Sequence, residues 1–197
     1  MSALTFERLR AASLPRSVRY YAPLQDPWSI EDWLVALGGE VGEALNVMKK
    51  LERDRKGMRG NSEGFASLVR SLGKELSDAT IYLDLTMAAG KLAPFGAAEF
   101  SFGSMQAPRP TINLNRIGAS MFVEAGRFAD LIQRAEIEAE MGDSDHTEQY
   151  RTRAREGALQ LMNRIGMAAT VLGMDLGDEV AAKFNATSEK LNFPERL

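Results

Sequence analysis

The chain has 197 residues, with 24 Lys plus Arg against 27 Asp plus Glu, no cysteine and a single histidine, His146. That length can bury a real core in one domain, and a formal net charge of −3 offers no broad basic surface to nucleic acid or to an anionic membrane. The composition excludes disulfides, thiolate zinc sites, iron–sulfur clusters and a Cys nucleophile, and one histidine removes most His-based metal and triad chemistry.

No window approaches the ~18 apolar residues of a membrane span. The opening MSALTFERLR has no apolar run after its charges, so a cytoplasmic location is expected. Chemistry is left to carboxylates, Lys and Arg, Tyr and a bound ion.

In chain order, the first strong signal is a helix over 29–51, with apolar residues at Ile30, Trp33, Leu34, Leu37, Val41, Ala44, Leu45, Met48 and Leu51. Ser29 and Asp32 have N-cap spacing behind Pro27. The polar run 52–64, with Gly57, Gly60 and Asn61, predicts a loop. A second long helix follows on the stripe Phe65, Leu68, Val69, Leu72, Leu76, Ala79, Leu83 and Met87, ending near Gly90. The breakers Gly96, Gly103, Pro108 and Pro110 make 95–111 a linker. Helical patterns resume over 113–141 and about 147–172, and a short helix over about 175–183 precedes the end NFPERL. No alternating strand pattern is longer than a few residues.

The expected fold is all-α, a four-helix-bundle-like core made of two helical hairpins. A single domain spans 1–197, with one hairpin over 28–93, a second over 112–185 and a tail over 186–197. Residues 33–48 can be laid on 118–133, placing Glu40 on Glu124 and Gly42 on Gly126, which suggests a degenerate tandem repeat.

The candidate chemistry lies in two acidic pairs, Glu40 with Glu43 and Glu75 with Asp78. Each is spaced i,i+3, so both members share one helix face beside the apolar stripe. Small neighbours such as Ala36 and Gly39 leave room for another backbone or a ligand. Two carboxylates ~4 Å apart repel by roughly 4 kcal/mol at an effective dielectric near 20. A crowded set therefore raises its pKa values or holds a cation. All-oxygen ligands favour Mg²⁺ or Mn²⁺ over zinc. One ExxE alone is usually a solvated face; two pairs on consecutive helices favour a site. Asp143 and His146 form a possible metal pair in a polar turn, where a plain surface role is expected. Trp33 is expected in the core, and Trp28 is a candidate base contact.

EVGE (40–43), ELSD (75–78) and the end KFN…FPERL resemble the MazG-like all-α nucleoside triphosphate pyrophosphohydrolases, which include dimeric dUTPases and dCTPases. The resemblance covers about 28–92 and 172–197. It implies hydrolysis of a nucleoside triphosphate to the monophosphate and pyrophosphate by a homodimer, with Glu40, Glu43, Glu75 and Asp78 holding Mg²⁺ (Mn²⁺ as substitute). It also implies that Lys183 and Asn185 touch phosphate or sugar and that Tyr82 borders the nucleotide. The second hairpin has Arg127 where the second Glu would stand, so it is expected to bind no catalytic metal. The competing reading is a noncatalytic helical module that binds nucleotide or a partner. A ferritin-like di-iron bundle would need Glu-x-x-His on paired helices, which are absent.

Overall fold

Ser29 starts the first acidic helix as its spacing predicts. Its hydroxyl accepts from Asp32 N at 3.3 Å, and the Asp32 carboxylate accepts from Ser29 N at 2.9 Å, a reciprocal cap on two otherwise unpaired donors. The computed structural model describes residues 3–21, 27–103 and 113–197. Among them are six helices and no strand: α1 (Phe6–Tyr21), α2 (Ile30–Arg55), α3 (Phe65–Ala89), α4 (Leu114–Glu140), α5 (Ser144–Val171) and α6 (Leu176–Lys190). The fold is all-α. Helix α2 packs on α3 and α4, and α5 packs on α4 and α3, which closes a four-helix core; α1 and α6 lie against α3.

Four sequence expectations need correction. First, α2 runs past Leu51 because Glu52, expected to open the polar loop, is 4% exposed. Its carboxylate accepts from Leu114 N at 3.2 Å at the start of α4 and from Arg55 Nε at 2.9 Å. A buried acid is stable here because its oxygens meet a helix-start N–H and a guanidinium.

Second, α1 was not expected at all. Thr5 Oγ1 accepts from Arg8 N at 3.2 Å and caps it. Pro15 is tolerated inside it because Pro15 and Ala11, four residues back, both face solvent, where the carbonyl that loses its donor can meet water.

Third, the expected linker is not a free connector over its described part. Phe95, Phe100 and Phe102 are buried around Phe6 of α1, with ring centroids 4.9, 5.7 and 5.1 Å away. Residues 104–111 of that expected linker lie outside the described ones. Fourth, α6 continues to Lys190, so the expected tail at 186–197 begins inside a helix.

One buried ion pair joins α1 to α3. Asp84 is fully buried and receives Arg10 Nε at 2.9 and 3.0 Å, while Arg10 Nη1 donates to Leu92 O at 3.1 Å. The end of the chain clasps the same helix from the other side. Arg19 Nε donates to Glu195 at 2.6 Å, and the Tyr20 ring meets Phe193 edge-on at 5.3 Å. Removing one partner of a buried pair leaves a desolvated charge, so Asp84→Ala should cost about 3–5 kcal/mol. Urea denaturation followed by circular dichroism measures that loss.

Candidate functional site

The α2–α3 pairing brings the two acidic motifs together. One carboxylate oxygen from each of Glu40, Glu43 and Glu75 lies within 4.8 Å of the other two. Glu40 and Glu75 are half-buried and Glu43 is exposed, so the cluster opens to solvent. Asp78, one turn beyond Glu75, forms an ion pair with Lys183 of α6. The side chains of Glu179 and Met174 lie over Gly73. A methyl group there would come within 2.8 Å of Glu179 Oε2 and 3.3 Å of Met174 Sδ. By contrast, Gly38, Gly39 and Gly42 beside the acids have open space where a Cβ would stand, so no second backbone uses the room they leave.

The electrostatics are those of crowded like charge. Partial burial, then the charges of Asp78, Glu43 and Glu75, push Glu40 up to about 7, against a lowering by Lys183. Glu75 is raised by desolvation, by Glu43 and Asp78, and by a hydrogen bond with Glu43. Burial also raises Asp78, although the Lys183 ammonium and the Arg16 guanidinium oppose it. The donor set is hard, anionic oxygen without nitrogen or sulfur, which fits Mg²⁺ or Mn²⁺.

Beside this cluster a cavity of about 340 Å³ opens, with Asp78 in its wall. Its sides are aromatic: Tyr21, Trp28, Trp33 and Tyr82, with Trp28 and Trp33 4.8 Å apart and Trp33 6.1 Å from Tyr82. Tyr82 and Trp28 therefore stand where a base could stack near the acids, and Trp33, although 7% exposed, shares that wall as well as the core. Helix α1 supplies the remaining face through Ser13, Arg16, Ser17 and Tyr20, spaced i, i+3, i+4 and i+7. These four were missed by the sequence reading. The helical spacing of Phe6, Leu9, Ser13, Arg16 and Ser17 was available as a signal, but Pro15 and the charges masked it.

Asn185 is not brought to this site. Its amide donates to Leu197 O at 3.0 Å and accepts from Leu197 N at 2.8 Å, and it lines a different cavity beside Asp178 and Leu197. Its place is to hold the chain's end onto α6.

Glu124 and the exposed Arg127 join no acid cluster among the described residues. Glu138, Asp143 and His146 form a second acid–histidine group. There Asp143 caps α5 by accepting from His146 N at 3.0 Å and holds the ring Nδ1 at 2.8 Å, which accounts for the group without an ion. No described helix is long and apolar enough to cross a membrane. The chain matches no family model, no curated protein and no solved structure.

Glu40 sets a pH dependence. Its ordinary value is 4.5 and its folded value about 7, so across that window the folded chain keeps a proton that the unfolded chain has lost. Stability in EDTA should therefore be greater below the window and fall as pH rises through it. Asp84, pushed up by burial to about 6, acts in the same direction. Glu40→Gln should flatten part of this slope, and Mg²⁺ should offset it above the window; thermal melts at several pH values, with and without Mg²⁺, check both.

Proposed function

We propose that this chain is a Mg²⁺-dependent nucleoside triphosphate pyrophosphohydrolase, releasing the nucleoside monophosphate and pyrophosphate. The observation that carries the reading is the junction of the Glu40–Glu43–Glu75 cluster with an aromatic cavity through Asp78. A carboxylate cluster alone is an ordinary surface feature. A carboxylate cluster joined by a neighbouring Asp to a cavity with aromatic walls is a place for a charged, ring-bearing ligand such as a nucleotide.

Glu40, Glu43 and Glu75 would hold Mg²⁺ or Mn²⁺, which supplies charge neutralisation for the triphosphate and lowers the pKa of a bound water. Lys183 is placed to exchange Asp78 for a phosphate oxygen, and that exchange frees Asp78 to join the carboxylate set. Tyr82, on the turn after Asp78, and Trp28 keep the base beside the phosphates. Positioning of this kind does most of the catalytic work in phosphoryl transfer, where little covalent chemistry falls to the protein.

Pyrophosphate should appear from at least one nucleoside triphosphate with Mg²⁺ and vanish in EDTA. Glu75→Gln should lower turnover by at least about a hundredfold while helicity is kept. Glu124→Gln, outside the cluster, should keep most of it. Release of orthophosphate in place of pyrophosphate, or no turnover over a full panel of nucleotides, would overturn the reading.

The same proposal takes the protein as a cytoplasmic homodimer. Phe122 is 68% exposed and lines an apolar groove with Leu34, Val41 and Leu45 of α2, a surface that a second copy would cover. Sedimentation equilibrium should give twice the chain mass at micromolar concentration, and monomer alone would refute the dimer.

A further inference from the structure

The α1 wall of the cavity contains an anomaly. Ser13 is 1% exposed, it lines the cavity, and its Oγ has no hydrogen-bond partner among the described residues. A helical serine can return its hydroxyl to the carbonyl a turn earlier, as Ser17 does to Leu14 O at 2.9 Å and Ser77 does to Gly73 O at 2.7 Å. Ser13 makes no such bond. Leaving a buried hydroxyl unpaired costs about 1–3 kcal/mol, so an unpaired hydroxyl in a cavity wall points to a ligand group that completes it.

Arg16 stands one turn further along the same face. Its guanidinium carbon lies 3.5 Å from the centre of the Phe184 ring, and Nη1 donates to Phe184 O at 2.9 Å and to Ser188 Oγ at 3.4 Å. Only Nη1 is engaged among the described residues, and the residue is 6% exposed and lines the cavity. A guanidinium has donors and no acceptor. The edge offered to a ring between Trp28, Trp33 and Tyr82 therefore joins a fixed donor to a hydroxyl that can accept.

From this pair we infer that the cavity selects bases with a lactam edge, a ring carbonyl beside a ring N–H, as in 4-oxopyrimidines and 6-oxopurines. Arg16 donates to the carbonyl and Ser13 Oγ accepts from the adjacent N–H. A cytosine-type or adenine-type edge presents an amino donor to the guanidinium and a bare ring nitrogen beside it, so one hydrogen bond becomes a clash of donors. Discrimination by an unpaired buried group is stronger than discrimination by shape. The inference rests on the cavity being the base site of the proposed hydrolase, and names the substrate class of that site.

Both tryptophans of the chain, Trp28 and Trp33, line this cavity, so intrinsic fluorescence reports its occupancy without turnover. The probes are nucleosides, which carry no phosphate and need no metal, added to the full-length protein in EDTA. Deoxyuridine against deoxycytidine, and deoxyinosine against deoxyadenosine, change the edge while keeping the ring. The lactam member of whichever ring size fits should quench saturably and bind roughly tenfold more tightly than its amino partner. Arg16→Gln, whose amide can donate or accept, should reduce that ratio by several-fold. Ser13→Ala, a change small enough to leave the helix intact, should weaken both members alike, because a hydroxyl can accept from a ring N–H or donate to a bare ring nitrogen.

Equal binding of both members of each pair, no quenching by any nucleoside, an unchanged ratio in Arg16→Gln, or undiminished binding in Ser13→Ala would overturn the inference. Selective quenching in a protein that releases no pyrophosphate overturns the hydrolase reading and leaves the edge selection standing. Pyrophosphate release with equal use of lactam and amino bases does the reverse.

Discussion

Four carboxylates on facing turns of α2 and α3 repel one another, and the arrangement exists only because the seam beneath them is apolar. Two such charges at ~4 Å oppose each other by roughly 4 kcal/mol at an effective dielectric near 20. Burying one Leu or Val side chain returns about 1.5–3 kcal/mol. Leu37, Val41, Ala44, Met48 and Leu51 of α2 share one continuous core with Leu68, Leu72, Leu76, Ala79 and Leu83 of α3, so a few of these contacts outweigh a repelling pair. The electrostatic strain then appears in the raised pKa of Glu40 and of Glu75 and in the ion pair of Lys183 with Asp78. The cation that the structure brings to these acids is a lysine, Lys183.

The helices outside the four-helix core give that cluster its surroundings. Helix α6 packs on α3 and meets Asp78 through Lys183, and α1 reaches the cavity because three interactions fasten it: the Phe6 aromatic cluster, the Arg10–Asp84 pair and the clasp of Arg19 and Tyr20 by residues 193–195. Phe6 and Asp84 do not line the cavity, whereas Tyr20 does. A substitution at Asp84 or Phe6 therefore changes the cavity through the docking of α1, and stability and base binding should be lost together at such positions. At Ser13 the two effects separate, since that hydroxyl holds nothing in the fold.

The core was legible in the sequence wherever one helix face carries a long apolar period. Residues 65–89 show this best, because the stripe from Phe65 to Met87 is bounded by glycines at both ends. The Ser29–Asp32 cap and the shared faces of Glu40 with Glu43 and of Glu75 with Asp78 followed from spacing alone, because i,i+3 neighbours share a face whatever the rest of the chain does. The meeting of Glu75 with Glu40 and Glu43 came from the packing of α2 on α3. Glu52 was not legible. Its burial depends on the Leu114 N–H, which is distant in sequence, and no local pattern distinguishes it from the solvated acids beside it. Asn185 failed for the same reason in the opposite direction: a residue type suited to phosphate or sugar is occupied at both ends of its amide by Leu197.

The aromatic linker and α1 show where composition misleads. No helix forms over 91–103, but Phe95, Phe100 and Phe102 are buried there, and Phe6 is their common partner. Neither segment is interpretable alone, because each supplies the apolar face that the other lacks. The same dependence extends to the site. The acid cluster stands on α2 and α3, whereas Ser13 and Arg16 line the cavity from α1. Under the proposed function, a change in cation binding should therefore be separable by measurement from a change in base selection.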